Sequence, residues 1–135
     1  MCWALYLASN KDLPEVPWDK TRPAFNTQPL TEEDVVTQQF SFPNVIYLGS
    51  HVGCGCGFMD EDEEDQEEAA LRQKTVQSLS SYLQAALENG AQLEMFLCWE
   101  GDQGVTPVAR KVVSAKDFEN PLFPLEAKEL ANVVT

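Results

Sequence analysis

One long amphipathic segment between two strongly β-prone segments constrains the fold more than any other feature of the sequence. Residues 67–88 carry apolar side chains at helical spacing, and the pair Asn89-Gly90 is typical of a helix end. The flanking segments, 44–48 and 93–99, are rich in residues that favour strands. A right-handed crossover through the helix would make these two strands parallel. The apolar positions on the helix are Val76, Leu79, Tyr82, Leu83, Ala86 and Leu87.

The rest of the chain predicts further strands beside this crossover. Residues 2–8 are apolar throughout, which is typical of a central strand covered on both faces. Residues 34–42 alternate loosely and predict an outer strand, and the turn at 100–104 predicts a hairpin that leads into a strand over 105–113. We therefore predict an α+β fold, with a mixed sheet of about five strands and one long helix packed on one face.

Two further segments are less regular. Residues 9–31 contain four prolines, which predict a long loop, and we expect Trp18 and Phe25 to hold that loop against the protein body. The tail over 126–134 fits either a short helix or an edge strand. The length of 135 residues fits a single domain over 1–135.

Composition and charge exclude several classes of function. No apolar run approaches the roughly 20 residues that a membrane span needs, and the apolar start of the chain lacks the basic region of a signal peptide. We therefore expect a soluble, cytoplasmic protein that does not associate with a membrane. Because the formal net charge is −13, the chain should repel phosphate backbones, and nucleic acid is not an expected partner.

The candidate site is the segment G-S-H-V-G-C-G-C-G-F over 49–58, which follows the first crossover strand. In an extended backbone Cys54 and Cys56 project to the same side with Cα atoms about 6.6 Å apart, a gap that two side chains can close around a metal. His51 would be a third ligand, and Cys98, Cys2 or an acidic side chain a fourth. Zinc is the cofactor that these ligand types indicate, although H-x-x-C-x-C is not one of the paired C-x-x-C patterns of zinc ribbons.

Two alternatives use the same residues. Cys54 and Cys56 could be a redox pair, or one of them a nucleophile assisted by His51, but nearby carboxylates disfavour a free thiolate. The interpretation that the sequence favours is structural, with glycines in a tight loop and cysteines packed as small apolar side chains. For Cys2 and Cys98 we expect core positions. Function is then undefined, with a binding or accessory protein favoured over an enzyme.

A dense acidic run follows the cysteines, with eight carboxylates within residues 60–68. It lacks the spacing and the central glycine of an EF-hand loop. Part of the run should stabilise the start of the helix, where the helix dipole favours negative charge. An acidic protein-interaction module that docks a basic protein partner is the third functional hypothesis.

Overall fold

The computed structural model describes residues 2–30, 34–59 and 65–135, which form one mixed six-stranded sheet and one long α-helix. This confirms the predicted α+β fold. The sheet order is β2-β3-β1-β4-β6-β5, and only β5 and β6 are parallel neighbours. The elements are β1 (Trp3–Ser9), β2 (Asn26–Pro29), β3 (Asn44–Gly49), α1 (Gln66–Glu88), β4 (Leu93–Trp99), β5 (Ala109–Ser114) and β6 (Glu129–Val134).

Helix α1 packs on one face of the sheet, as its periodicity predicts. Its apolar positions Val76, Leu79 and Leu83 are buried and share the main core with side chains of β1, β3, β4 and β6. Asp65 caps the helix start by accepting a hydrogen bond from the backbone N–H of Glu68 at 2.8 Å. None of the described helices is long and apolar enough to cross a membrane.

Strand β1 occupies the centre of the sheet, because both of its faces are apolar and need cover. It is antiparallel to β3 on one side and to β4 on the other. Strands β3 and β4 therefore run in the same direction, as the crossover predicts, but β1 lies between them. All residues of β1 from Ala4 to Ser9 are buried.

The predicted strand over 34–42 is wrong, because Val35–Gln39 forms a 3-10 turn. The turn lies under the sheet face opposite α1, where Val36 is buried together with Tyr6 and Phe96. The side chain of Gln39 donates hydrogen bonds to the carbonyls of Gln103 and Val105, which are remote in sequence. The loose alternation thus reflects a covering segment and not a strand.

The predicted hairpin between β4 and β5 is also wrong. Strand β6 lies between them, antiparallel to β4 with Phe96 opposite Leu130, and parallel to β5. Leu130 and Ala131 are buried, whereas Arg110 on β5 is exposed. The more apolar strand takes the inner position, so the tail is a strand but not an edge strand.

The proline-rich loop is held to the body by Phe25, which is buried, but the prediction for Trp18 is wrong, since 43% of that residue is exposed. The loop also ends in a strand, β2, that the sequence did not indicate. Tyr82 on α1 adds a second attachment, because its hydroxyl donates to the carbonyl of Pro14 at 2.7 Å.

Candidate metal centre

The candidate site lies at the end of the sheet where the central strand β1 begins and where its neighbours β3 and β4 end. Pairing of β1 with β4 starts at Trp3, opposite Trp99, whereas pairing with β3 starts only at Leu5, opposite Leu48. The loop that follows β3 therefore lies beside the start of β1. The first turns of α1 also reach this end of the sheet, where Glu68 and Leu71 line a cavity of about 210 Å³ together with loop residues.

Ser50 holds the loop in a compact shape. Its side chain is fully buried, and its hydroxyl donates to the carbonyl of Cys54 at 2.6 Å and accepts from the N–H of Gly57 at 3.1 Å. The backbone N–H of Ser50 also donates to the Cys54 carbonyl, at 3.0 Å. Ser50 thus holds the backbone on both sides of Cys56, at Cys54 and at Gly57. The loop then continues as the short 3-10 turn Gly55–Phe58.

Gly55 allows the loop to lie directly against β1. A Cβ atom at this position would be 2.9 Å from the carbonyl oxygen of Trp3 and 3.1 Å from its carbonyl carbon. These are backbone atoms of a paired strand, so they have little freedom to move away. A residue without a side chain is therefore needed for this approach, and the approach brings the loop cysteines next to Cys2.

Three sulfur atoms meet at this contact. The Sγ atoms of Cys2, Cys54 and Cys56 all lie within 4.8 Å of one another, and this group could hold a metal ion. All are free thiols; Cys2 is exposed, and Cys54 and Cys56 are half-buried. The Cys56 sulfur accepts a hydrogen bond from the backbone N–H of Trp3 at 3.3 Å. Two sulfurs on a tetrahedral zinc are about 3.8 Å apart, so small side-chain rotations would bring these thiols to bonding distance.

Burial raises the pKa of the Cys54 thiol above its ordinary value, although the backbone of Cys56 acts on this pKa in the opposite direction. Burial therefore disfavours the thiolate form of Cys54, and the thiol form is a poor nucleophile. A bound cation would reverse this preference, because a metal ion displaces the proton from a thiol.

His51 does not belong to the group of three sulfur atoms from Cys2, Cys54 and Cys56, called the sulfur group below. Its Nδ1 is 2.9 Å from the hydroxyl oxygen of Thr75, a buried residue on α1, and burial lowers the pKa of the imidazole. The ring thus connects the loop to the helix, and its burial favours the neutral form. Of the three predicted ligands, the structure brings together Cys54 and Cys56 and adds Cys2 to them.

The core predictions for the other two cysteines have opposite outcomes. Cys98 is fully buried, and burial raises its pKa to about 12, as expected for a core thiol. The core position predicted for Cys2 is wrong, because Cys2 is exposed and belongs to the sulfur group. The sequence offers Cys2 only as one of several fourth ligands, because the strand order that places it near Cys54 and Cys56 is not visible in a local pattern.

The acidic run is only partly described. Residues 60–64 lie outside the described residues, so the predicted interaction with a basic partner is not tested. Asp65 is the N-cap of α1, and Glu67 and Glu68 lie in its first turn, which confirms that part of the run lies at the helix start, where the helix dipole favours negative charge.

The fold and the site define an α+β protein with a group of three thiols at the end of its sheet where the central strand begins. Comparison of the chain with protein-family models, with curated proteins and with solved structures gives no match.

Proposed function

We propose that this protein binds one soft or borderline cation, with zinc as the first candidate, through Cys2, Cys54 and Cys56. The observation that carries the proposal is the meeting of three free sulfur atoms within 4.8 Å of one another, from segments 52 residues apart in the chain. Thiolates are preferred ligands of zinc and of softer metals. This ligand set replaces His51 by Cys2 and keeps the predicted pair Cys54 and Cys56.

A binding or accessory role is favoured over a thiol-dependent enzyme. A nucleophilic cysteine needs a base or a lowered pKa, whereas burial raises the pKa of Cys54. The chain has a single histidine, and the Nδ1 of that residue is within hydrogen-bonding distance of Thr75. The site therefore has the donors that a cation needs, and the burial of Cys54 disfavours the thiolate form that a catalytic thiol at that position needs.

The proposal extends to the environment of the protein. Free thiols that bind metal persist in a reducing compartment, which supports a soluble, cytoplasmic location. The net charge of −13 favours cations over phosphate-bearing ligands and supports the absence of a nucleic-acid partner.

Metal analysis of protein purified without added metal, followed by zinc titration against a chromophoric chelator, tests the proposal. We expect one zinc per chain, lost when Cys2, Cys54 or Cys56 is individually changed to serine. Cys98→Ala is the matched control, because it removes the remaining cysteine, which is buried and does not belong to the group of three sulfur atoms, and this variant should retain zinc. His51→Gln should also retain zinc.

Two results would contradict the proposal. One is wild-type zinc binding in all three serine variants. The other is metal-free protein in which Cys54 or Cys56 is alkylated rapidly well below pH 8, since this would instead indicate a reactive thiol.

A further inference from the structure

In the part of the chain that the structure describes, the donor set at the sulfur group consists of three thiols. Among the residues that the structure describes, no imidazole nitrogen and no carboxylate oxygen belongs to the group of mutually close ligand atoms. Structural zinc is almost always held by four protein ligands, so zinc here would need a fourth ligand from elsewhere. Soft thiolate ligands also select monovalent copper, a d10 ion that is satisfied by two or three sulfur atoms.

The charge of a three-thiolate copper site is compatible with the surrounding backbone. Three thiolates around one monovalent ion leave two negative charges. The N–H of Trp3 donates to the sulfur of Cys56 at 3.3 Å. Such N–H donors stabilise negatively charged sulfur without adding a further ligand to the metal.

The exposure of the three cysteines differs in a way that fits an exchangeable ion. Cys54 and Cys56 are half-buried in the compact loop, whereas Cys2 is exposed. An incoming thiolate could therefore replace Cys2 while the two loop cysteines keep the ion. Thiolate-for-thiolate exchange changes no oxidation state and needs no added reductant.

We propose that the site takes one monovalent copper ion in three-sulfur coordination, with Cys2 as the exchangeable ligand. This inference rests on the proposed function. The ion is bound as Cu(I), and each thiol that is protonated releases its proton on binding. The three-cysteine site thus takes either ion, and Cu(I), the softer monovalent cation, displaces zinc from it.

The test is a titration of the fully reduced chain with Cu(I) under anaerobic conditions, buffered by a bicinchoninate chelator and started from the zinc-loaded protein. We expect one Cu(I) per chain with release of the zinc. X-ray absorption should show three sulfur neighbours around copper and no lighter atom, and, around zinc, three sulfurs with one oxygen or nitrogen.

The Cys2→Ser variant separates the two metals. Two thiolates are enough for Cu(I), so we expect the variant to retain one copper with two sulfur neighbours, bound about tenfold more weakly, or about 1.4 kcal/mol. The same variant should lose zinc. Cys98→Ala should behave as wild type with both metals.

The outcomes distinguish this inference from the proposed function. Zinc that is retained against buffered Cu(I), or copper that binds only as a multinuclear cluster, overturns the copper inference and leaves the three-cysteine metal site in place. Copper with fewer than three sulfur neighbours in the wild type overturns it as well. Failure of both metals to bind the wild-type chain overturns the proposed function together with the inference.

Discussion

Gly55→Ala tests whether the close approach between the loop and β1 assembles the sulfur group. The added Cβ would lie 2.9 Å from the carbonyl oxygen of Trp3 and 3.3 Å from its Cβ. Trp3 is fixed by pairing with Trp99, and their rings stack with centroids 3.6 Å apart. The loop must therefore move away from the strand, and overpacking of this kind costs about 1–3 kcal/mol.

The same displacement should weaken metal binding. In the metal-free variant, movement of the loop relieves the clash but carries Cys54 and Cys56 away from Cys2. A metal ion has to draw the loop back, so the relieved strain reappears as lost affinity. A cost of about 1–3 kcal/mol corresponds to zinc affinity about 5- to 150-fold lower.

Zinc competition with a chromophoric chelator measures this loss, and urea unfolding measures the free energy of unfolding. Gly104→Ala is the matched control, because its Cβ would meet only the two methyl groups of the Val35 side chain, at 3.2 and 3.9 Å, and no backbone atom. We expect the control to bind zinc as the wild type does. Unchanged zinc affinity in a folded Gly55→Ala variant would refute the idea that this contact assembles the site.

Three further substitutions test the packing around the site and the sheet. Ser50→Ala removes the buried hydroxyl that satisfies loop backbone groups and should cost about 1–3 kcal/mol in urea unfolding; a variant as stable as the wild type would contradict this. Lys111→Met should cost about 1 kcal/mol at neutral pH, because the ammonium lies 2.8 Å from the Glu129 carboxylate. Although burial acts to raise it, the pKa of Glu129 is held below its ordinary value by Lys111 and by a backbone N–H, so this stabilisation is lost as the pH falls through the lowered pKa. The stability difference between wild type and Lys111→Met should therefore shrink in acid, and a difference that grows would contradict the assignment. Tyr82→Phe removes the hydrogen bond to Pro14 and should cost about 0.5–1.5 kcal/mol, with faster proteolysis of the proline-rich loop as the measurable sign. Unchanged proteolysis would show that the loop is held by other contacts.

The elements predicted well are those whose signal is local. The helical period of 67–88 and the β-prone runs around it lie within single segments, and the structure confirms α1, β3 and β4 nearly to the residue. The central position of β1 also follows from its own composition. Strand neighbours are different, because they depend on comparing distant segments. The inner position of β6 is set by the burial of Leu130 and Ala131 relative to β5, which no turn signal at 100–104 reveals.

The same distinction applies to the site. Cys54 and Cys56 stand together in the sequence, and their shared position in the structure follows from a local pattern. Cys2 joins them only because β1 lies between β3 and β4, which places the start of β1 beside the loop. His51 is close in sequence but is held by Thr75 on α1. The single domain, the cytoplasmic location and the basic partner stay predictions.

The sulfur atom of Cys56 also supplies a hydrogen-bond acceptor to the first residue of the central strand β1. Pairing of β1 with β3 begins only at Leu5, so Trp3 has no partner on β3. Its backbone N–H donates instead to the sulfur of Cys56. A buried or half-buried N–H without an acceptor is costly, so the loop is stabilised where it can supply one. The early end of β3 is therefore linked to the course of the loop that follows it. The N–H of Trp3 lacks an acceptor on β3, and the Cys56 sulfur takes that place. The loop that carries Cys56 back to β1 also brings Cys54 and Cys56 close to Cys2.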